Sequence, residues 1–391
     1  MDPKLEVTAI SGFFVPAFRG GGPIRTIEAM ADTHKASVKL NVVTSNTDLG
    51  LADPLDVQTG IWTKVGSANC YYIEWSNVWR RLAGIVMAVR KKSDYLYING
   101  LFAFWTSILP LIVSRLGLAG STHIVIAPRG ELGPGAKHIG RTKKRLFLQM
   151  ARIVRLHQSA IWHASSNVEE SEIRQEFPSA KVVIRENETA LPEKSVPPIV
   201  SPLANQSLHA IYVGRLSAKK GVTSLLSALS GVSSPLRFDI YGAPEDTAYW
   251  EELNRLCNLL PGHIDVRLLG PLPHESVMQE FGRHEIFLCP TSHENFGHTI
   301  AESLAASCPV MIKEVTPFTP MIKRGAGVLI EDDSPDAWSM AINRYAELPS
   351  SDRLDRRRLA GMEYDSWRLL GGGPSVFELC EGLYKSGAWG S

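Results

Sequence analysis

Apolar residues along this chain fall into short, near-continuous runs separated by longer stretches with helical spacing. Residues 5–11, 38–44, 71–75, 95–98, 123–127, 161–164 and 181–184 read as strands. Between them, 23–36, 78–92, 106–116, 137–156 and 168–177 carry apolar positions three and four apart, the mark of a helix with one buried face. Strands apolar on both faces and separated by helices predict a parallel sheet covered on both sides.

The pattern stops between 192 and 205, where Pro192, Pro197, Pro198 and Pro202 stand in a stretch of little periodicity, read here as a linker. It then restarts, with strands at 209–213, 237–241, 264–268, 286–289, 310–312 and 327–330. Helices are expected at 222–229, 249–260, 275–281, from 299 onward, and at 336–347. A last helical pattern, 376–384, follows Gly371-Gly372-Gly373-Pro374. The expected fold class is α/β, with two doubly wound, Rossmann-like domains facing a cleft. Their bounds are 1–195, joined by a C-terminal helix over 374–386, and 206–365. Ligands of such sheets bind at the carboxyl ends of the strands.

The length of 391 residues suits two such domains, each with its own core. The net charge of +1 gives no sign of a nucleic-acid partner. Five widely spaced cysteines show no metal-ligand spacing and no disulfide framework. The N-terminus lacks the layout of a signal peptide, and the most apolar run, 101–113, is too short to span a bilayer. A cytoplasmic location is the expectation.

The chemistry concentrates after strand 286–289. Pro290 to Glu302 passes a polar turn with Gly297 and enters an apolar helix. The first N–H groups of a helix have no acceptor within it, so a Gly turn at that point suits an anion. Glu294 and Glu302 bracket it, which suits a ligand bearing hydroxyls as well as phosphate. Glu302, on an otherwise apolar helix with His298 one turn earlier, either faces a ligand or edges the helix. Gly214 to Gly221 follows strand 209–213 and holds Arg215 and Lys220; these are solvated loop cations or the holders of a diphosphate. Gly20-Gly21-Gly22-Pro23 opens the first helix, as a flexible turn or as a close approach of backbone to ligand. It lacks the G-x-G-x-x-G spacing of a dinucleotide site. Residues 132–168 contain no acid but include Lys137, Arg141, Lys143, Lys144, Arg145, Arg152 and Arg155. That helix is an ordinary one with a solvated basic face, or one that rests on anionic lipid.

Taken together, these residues resemble a retaining glycosyltransferase of the GT-B fold, family 4, over nearly the whole chain. The sharpest element is Glu294-Asn-Phe-Gly-His-Thr-Ile-Ala-Glu302, followed by Ala305-Ala306-Ser307-Cys308-Pro309-Val310. Val213-Gly214-Arg215-Leu216 with Lys219-Lys220-Gly221 resembles the family's phosphate loop, and Gly20–Pro23 with Arg25 its N-terminal glycine loop. Ala127-Pro128-Arg129-Gly130-Glu131-Leu132, Trp162-His163-Ala164-Ser165 and Phe238-Asp239-Ile240-Tyr241-Gly242 resemble bacterial members that build exopolysaccharide or lipopolysaccharide.

The resemblance implies hexose transfer from a UDP- or GDP-sugar to a glycan or lipid-linked acceptor, with retention of configuration and without a metal. It gives Glu302 the donor ribose, Glu294 the donor sugar, and Arg215 and Lys220 the diphosphate. Asn295, Phe296, Gly297, His298 and Thr299, with Gly214, Gly21 and Gly22, would line the donor. Asn99, Arg129 and Glu131 would stand on the acceptor side. The chain departs from the family at Leu96–Gly100, where many relatives carry histidines, and at Arg185-Glu186-Asn187-Glu188, where Pro-Asn-Gly is usual. Two other readings share the fold: a nucleotide-sugar 2-epimerase, in which His293 and His298 would serve, and a non-catalytic sugar-nucleotide-binding protein.

Overall fold

A computed structural model describes residues 4–51, 53–120, 122–133, 141–154, 156–198, 207–292, 294–370 and 373–385, with the side chains of 141–143 set aside. The chain divides into two compact units, Met1–Ala190 with Gly373–Ser391, and Leu191–Gly372.

The first unit is built on β1 (Leu5–Ser11), β2 (Val38–Ser45), β3 (Trp62–Val65), β4 (Ala68–Ile73), β5 (Tyr95–Asn99), β6 (His123–Ala127), β7 (Ala160–Ala164) and β8 (Lys181–Ile184). Its sheet order is β3-β4-β2-β1-β5-β6-β7-β8, parallel except for the edge pair β3–β4. Alternate strand residues face opposite helix layers, as the pleat requires. Val7, Ala9, Tyr95 and Tyr97 pack beneath α1 (Gly22–Thr33) and the C-terminal helix; Ile10, Val43, Leu96 and Ile98 pack beneath α2 (Val78–Arg90), α3 (Leu109–Val113), α4 (Arg141–Ile153) and α5 (Asn167–Glu176). Local chemistry starts these helices. Asn77 Oδ1 accepts from the N–H groups of Trp79 and Arg80 to cap α2, and Ser166 caps α5.

The second unit holds a six-stranded, all-parallel sheet in the order β11-β10-β9-β12-β13-β14. Its strands are β9 (Leu208–Val213), β10 (Leu236–Tyr241), β11 (Ile264–Gly270), β12 (Ile286–Cys289), β13 (Val310–Lys313) and β14 (Gly327–Ile330). Its helices are α6 (Val222–Leu229), α7 (Thr247–Cys257), α8 (His274–Arg283), α9 (His298–Ala305), α10 (Pro335–Ala346) and α11 (Ser350–Leu370). The last helix, α12 (Val376–Lys385), belongs to the first unit, where Phe377 is fully buried with its ring 5.5 Å from Tyr95 and 5.6 Å from Tyr97.

Four features depart from the sequence reading. Strand β3 was not anticipated: it is a short antiparallel edge strand whose residues are half exposed. The helix expected at 106–116 is a composite over 104–118, with wide turns on either side of Leu109–Val113; Pro110 lacks an N–H, and Gly117 takes φ 81°. Residues 350–370 form a long helix that the periodicity hid. The proline-rich stretch expected to be a linker docks on the second unit over 191–198. Ser195 N–H donates to Asp365, Val196 N–H to the Ala305 carbonyl, Ser307 Oγ to the Val196 carbonyl and Tyr364 to that of Pro192. Its prolines prevent a helix but leave carbonyls that neighbours satisfy.

Candidate active site

In the second unit the strand order reverses between β9 and β12, which lie side by side. The connections that leave these two strands pass to opposite faces of such a sheet, so a crevice opens at their carboxyl ends. The two segments singled out by sequence, 214–221 and 290–302, are the ones that leave β9 and β12.

Each segment is shaped to approach the other. After β9, Tyr212 Oη donates to the Arg215 carbonyl at 3.0 Å. Leu216 exchanges backbone bonds with Ala243 and Glu245. A tight turn over Ala218–Lys220 then ends at Gly221, with φ 71°. A Cβ at Gly221 would lie 2.4 Å from the Pro290 carbonyl oxygen, so only glycine permits this contact. Ser292 closes the same seam, its N–H and Oγ both directed at the Lys219 carbonyl. Gly297 takes φ 94° and turns the chain into α9; a Cβ there would stand 2.8 Å from Ile300 and 3.2 Å from Glu294 Cγ.

This packing brings Lys220 Nζ to 2.5 Å from Glu294 Oε2, both side chains mostly buried. Burial alone would raise the Glu294 carboxyl. The Lys220 charge and hydrogen bond, helped by Lys219 and His298, outweigh it and hold the group below the usual carboxylate range. Arg215 lies exposed on the same loop, while Gly214 sits against Tyr212. Phe296 is buried against Phe318 and Trp367, with the His298 ring 4.9 Å away. Asn295, His298 and Thr299 are half-buried at the entry to α9. Glu302, one turn further in, is buried, and His274 Nδ1 at the start of α8 lies 3.7 Å from its carboxylate. Sequence reasoning missed His274: it follows β11, twenty-eight residues before Glu302, and carries no local motif. His293 lies outside the described residues.

The first-unit residues gather separately, where β1, β5 and β6 end. Gly21, with φ 68°, precedes Gly22 and Pro23 at the start of α1. Asn99 donates to Ser11 Oγ and to the Pro23 carbonyl. Every nitrogen of the Arg129 guanidinium has a protein acceptor: Nε bonds Asn99 Oδ1 at 2.7 Å, and the others bond Tyr97 Oη at 2.6 Å and Asn187 Oδ1. Tyr97 in turn meets His163 Nδ1 at 2.7 Å. Burial, then the Arg129 charge, push the His163 imidazole down to about 3, so it is neutral at ordinary pH. Glu131 accepts the N–H groups of Leu101 and Phe102, and burial raises its carboxyl. Arg129 thus ties strand ends together, with Tyr97 and His163 as partners that the sequence pattern did not single out for this role.

The same two-unit α/β architecture is found in solved structures.

 The structure of Anabaena Alr3699/HepE in complex with UDP and glucose aligns over 97% of this chain and 100% of that one, at a TM-score of 0.68 and 15% identity. The fold is GT-B. At that identity the likeness speaks for architecture alone. In sequence, residues 199–360 match the family model described as glycosyl transferases group 1. The D-inositol 3-phosphate glycosyltransferase of Corynebacterium urealyticum is 28% identical over 161 residues, 39% of this chain and 37% of that protein. The putative teichuronic acid biosynthesis glycosyltransferase TuaC of Bacillus subtilis is 26% identical over 137 residues, 35% of this chain and 32% of that protein. The match therefore spans about a third of the length of these relatives.

Proposed function

We propose that this protein is a retaining glycosyltransferase of family 4 that moves a hexose from a nucleotide diphosphate sugar to a glycan or lipid-linked saccharide acceptor, in the synthesis of a cell-surface polysaccharide. The observation that carries the reading is the Lys220–Glu294 pair at 2.5 Å, set between the loop after β9 and the start of α9. The family match covers this same unit, and the named relatives are glycosyltransferases.

In this reading the donor diphosphate lies at the start of α9 and takes Lys220 and Arg215 as partners. Charge grows on the leaving diphosphate as its bond to the anomeric carbon breaks. Fixed cations and a helix N-terminus oppose that charge without reorganising. Each charge-assisted hydrogen bond contributes roughly 1.5–3 kcal/mol. Glu294, released from Lys220, faces the sugar hydroxyls, and buried Glu302 accepts from the ribose. Asn295 to Thr299 and Gly214 line the donor. In the first unit, Gly21 and Gly22 permit close backbone approach, and the Asn99–Arg129–Glu131 cluster supports the acceptor side. No metal is assigned a role, because the cations supply the counter-charge.

The test is incubation with radiolabelled UDP- and GDP-hexoses and a membrane extract. Label should pass into a lipid-extractable or polymeric product as nucleoside diphosphate appears, and Glu302→Ala and Lys220→Ala should abolish both. Interconversion of donor sugars without acceptor would instead identify an epimerase, and donor binding without turnover a sugar-nucleotide-binding protein.

A further inference from the structure

The chain's balanced charge conceals a strong segregation. Between residues 75 and 168 there are fourteen lysines and arginines and only two acids, Asp94 and Glu131. The remainder of the chain holds twenty-seven lysines and arginines against thirty-eight acids. The described helices of this region lie in one layer of the first unit. Ile85, Ala88 and Val89 of α2, Leu111 and Val113 of α3, and Leu148 of α4 all pack into the core on the same side of the sheet. Neither α2, nor 104–118, nor α4 contains an acid. Asp94 is engaged by the Glu6 N–H at 2.7 Å, and Glu131 by the N–H groups of Leu101 and Phe102.

The outer side of this layer is apolar where a solvated helix surface would be polar. Trp79 on α2 is 75% exposed, Leu116 beyond α3 72%, and Ile153 on α4 81%. Phe104, Leu146 and Met150 are each more than half exposed. Basic side chains stand among them: Arg90 on α2, Arg115, and Arg145 on α4 are exposed, while Arg80 on α2, also exposed, pairs with Glu74 at 2.7 Å. Exposed apolar residues spread over three successive elements mark an interaction surface. The charge selects the occupant. A second copy would set two strongly basic faces against each other, and a nucleic-acid backbone offers nothing to so many aliphatic side chains. An anionic bilayer answers both features, with headgroups for the cations and acyl chains for the apolar residues.

We propose that the face formed by α2, 104–118 and α4 docks the protein on an anionic lipid bilayer. The face is broader than the single basic helix at 137–156 that the sequence suggested, of which Lys137 and Arg155 lie outside the described residues. Among the described residues no helix is long and apolar enough to cross a membrane. The inference stands apart from the catalytic reading, since none of its residues belongs to the donor site.

The experiment is flotation of the full chain with phosphatidylcholine vesicles, with and without phosphatidylglycerol. Binding should require the anionic lipid and fall at high salt, as charge screening shortens. Two variants probe the layer at separate places: Trp79→Glu with Leu116→Glu, and Met150→Glu with Ile153→Glu. All four positions are exposed, so both proteins should fold, as unchanged thermal melting would verify. Each pair should reduce partitioning by at least about tenfold, because it removes inserted apolar surface and adds two like charges facing the lipid. Equal binding to neutral vesicles, loss confined to the α4 pair, or loss in neither pair would overturn the proposal. So would concentration-dependent dimerisation abolished by the same substitutions without any lipid binding.

Discussion

Replacing Lys220 with methionine keeps most of the side chain's bulk and removes its charge. It leaves Glu294 mostly buried without the cation that now stands 2.5 Å away, the two side chains being 22% and 18% exposed. Breaking a fully buried pair costs about 3–5 kcal/mol and an exposed one about 0–1. At one-fifth exposure the loss should be about 2 kcal/mol. For a unit of this size that lowers Tm by about 4–8 °C. The pH dependence follows from the direction of the Glu294 shift. Its folded pKa lies below its unfolded one, so the pair's stabilisation is complete above about pH 4.5 and disappears as pH falls through the folded value. The difference in Tm between wild type and Lys220→Met should therefore be full at pH 7 and close as acidification carries the pH below the ordinary glutamate value of 4.5 and through the lowered folded value. Adding Glu294→Gln should recover stability, because no buried charge then lacks a partner, yet recover no turnover, because the diphosphate still lacks Lys220. Differential scanning fluorimetry across pH, beside release of nucleoside diphosphate, reads both. A Tm difference that does not vary with pH would refute the ionic account of the pair, and wild-type turnover in Lys220→Met would refute its catalytic role.

Other outcomes follow from single contacts. Gly297→Ala combines a left-handed φ of 94° with a 2.8 Å approach to Ile300, and should cost about 1–3 kcal/mol in thermal unfolding and weaken donor binding together. Phe377→Ala empties a fully buried position between Tyr95 and Tyr97, and should cost about 3–5 kcal/mol in denaturant unfolding followed through the first unit. His163 is held neutral, its folded pKa depressed by burial and by Arg129, so the first unit should lose stability as pH falls from about 6.5 toward 3. Arg129→Met should raise the His163 pKa as measured by NMR, and an unchanged value would show that the guanidinium does not act on it.

Much of the fold could be read because most strands are buried on both faces and most helices bury one. Strand 286–289 and helix 222–229 emerge from the structure with the bounds their apolar runs predict. The long helix at 350–370 was hidden because its buried face carries cations. Arg353 pairs with Glu285 at 2.9 Å, and Arg357 donates to the Ser307 and Gly282 carbonyls, so residues facing the core read as solvent-facing. Edge strand β3 was lost for the opposite reason: half exposed and four residues long, it has no apolar run to find. In the candidate site, glycines and charges adjacent in sequence were legible. Contacts made across the fold, such as His274 with Glu302 or Tyr97 with Arg129, were not, because no local spacing encodes them.

The donor reading of the second unit is tested most directly by isothermal titration of the full chain with UDP and GDP. Wild type should bind one nucleoside diphosphate per chain, and Lys220→Met and Glu302→Ala should each weaken that binding by at least about tenfold, in line with the loss of one charge-assisted hydrogen bond. Binding of equal strength in all three proteins, or no binding of either nucleotide to wild type, would contradict it.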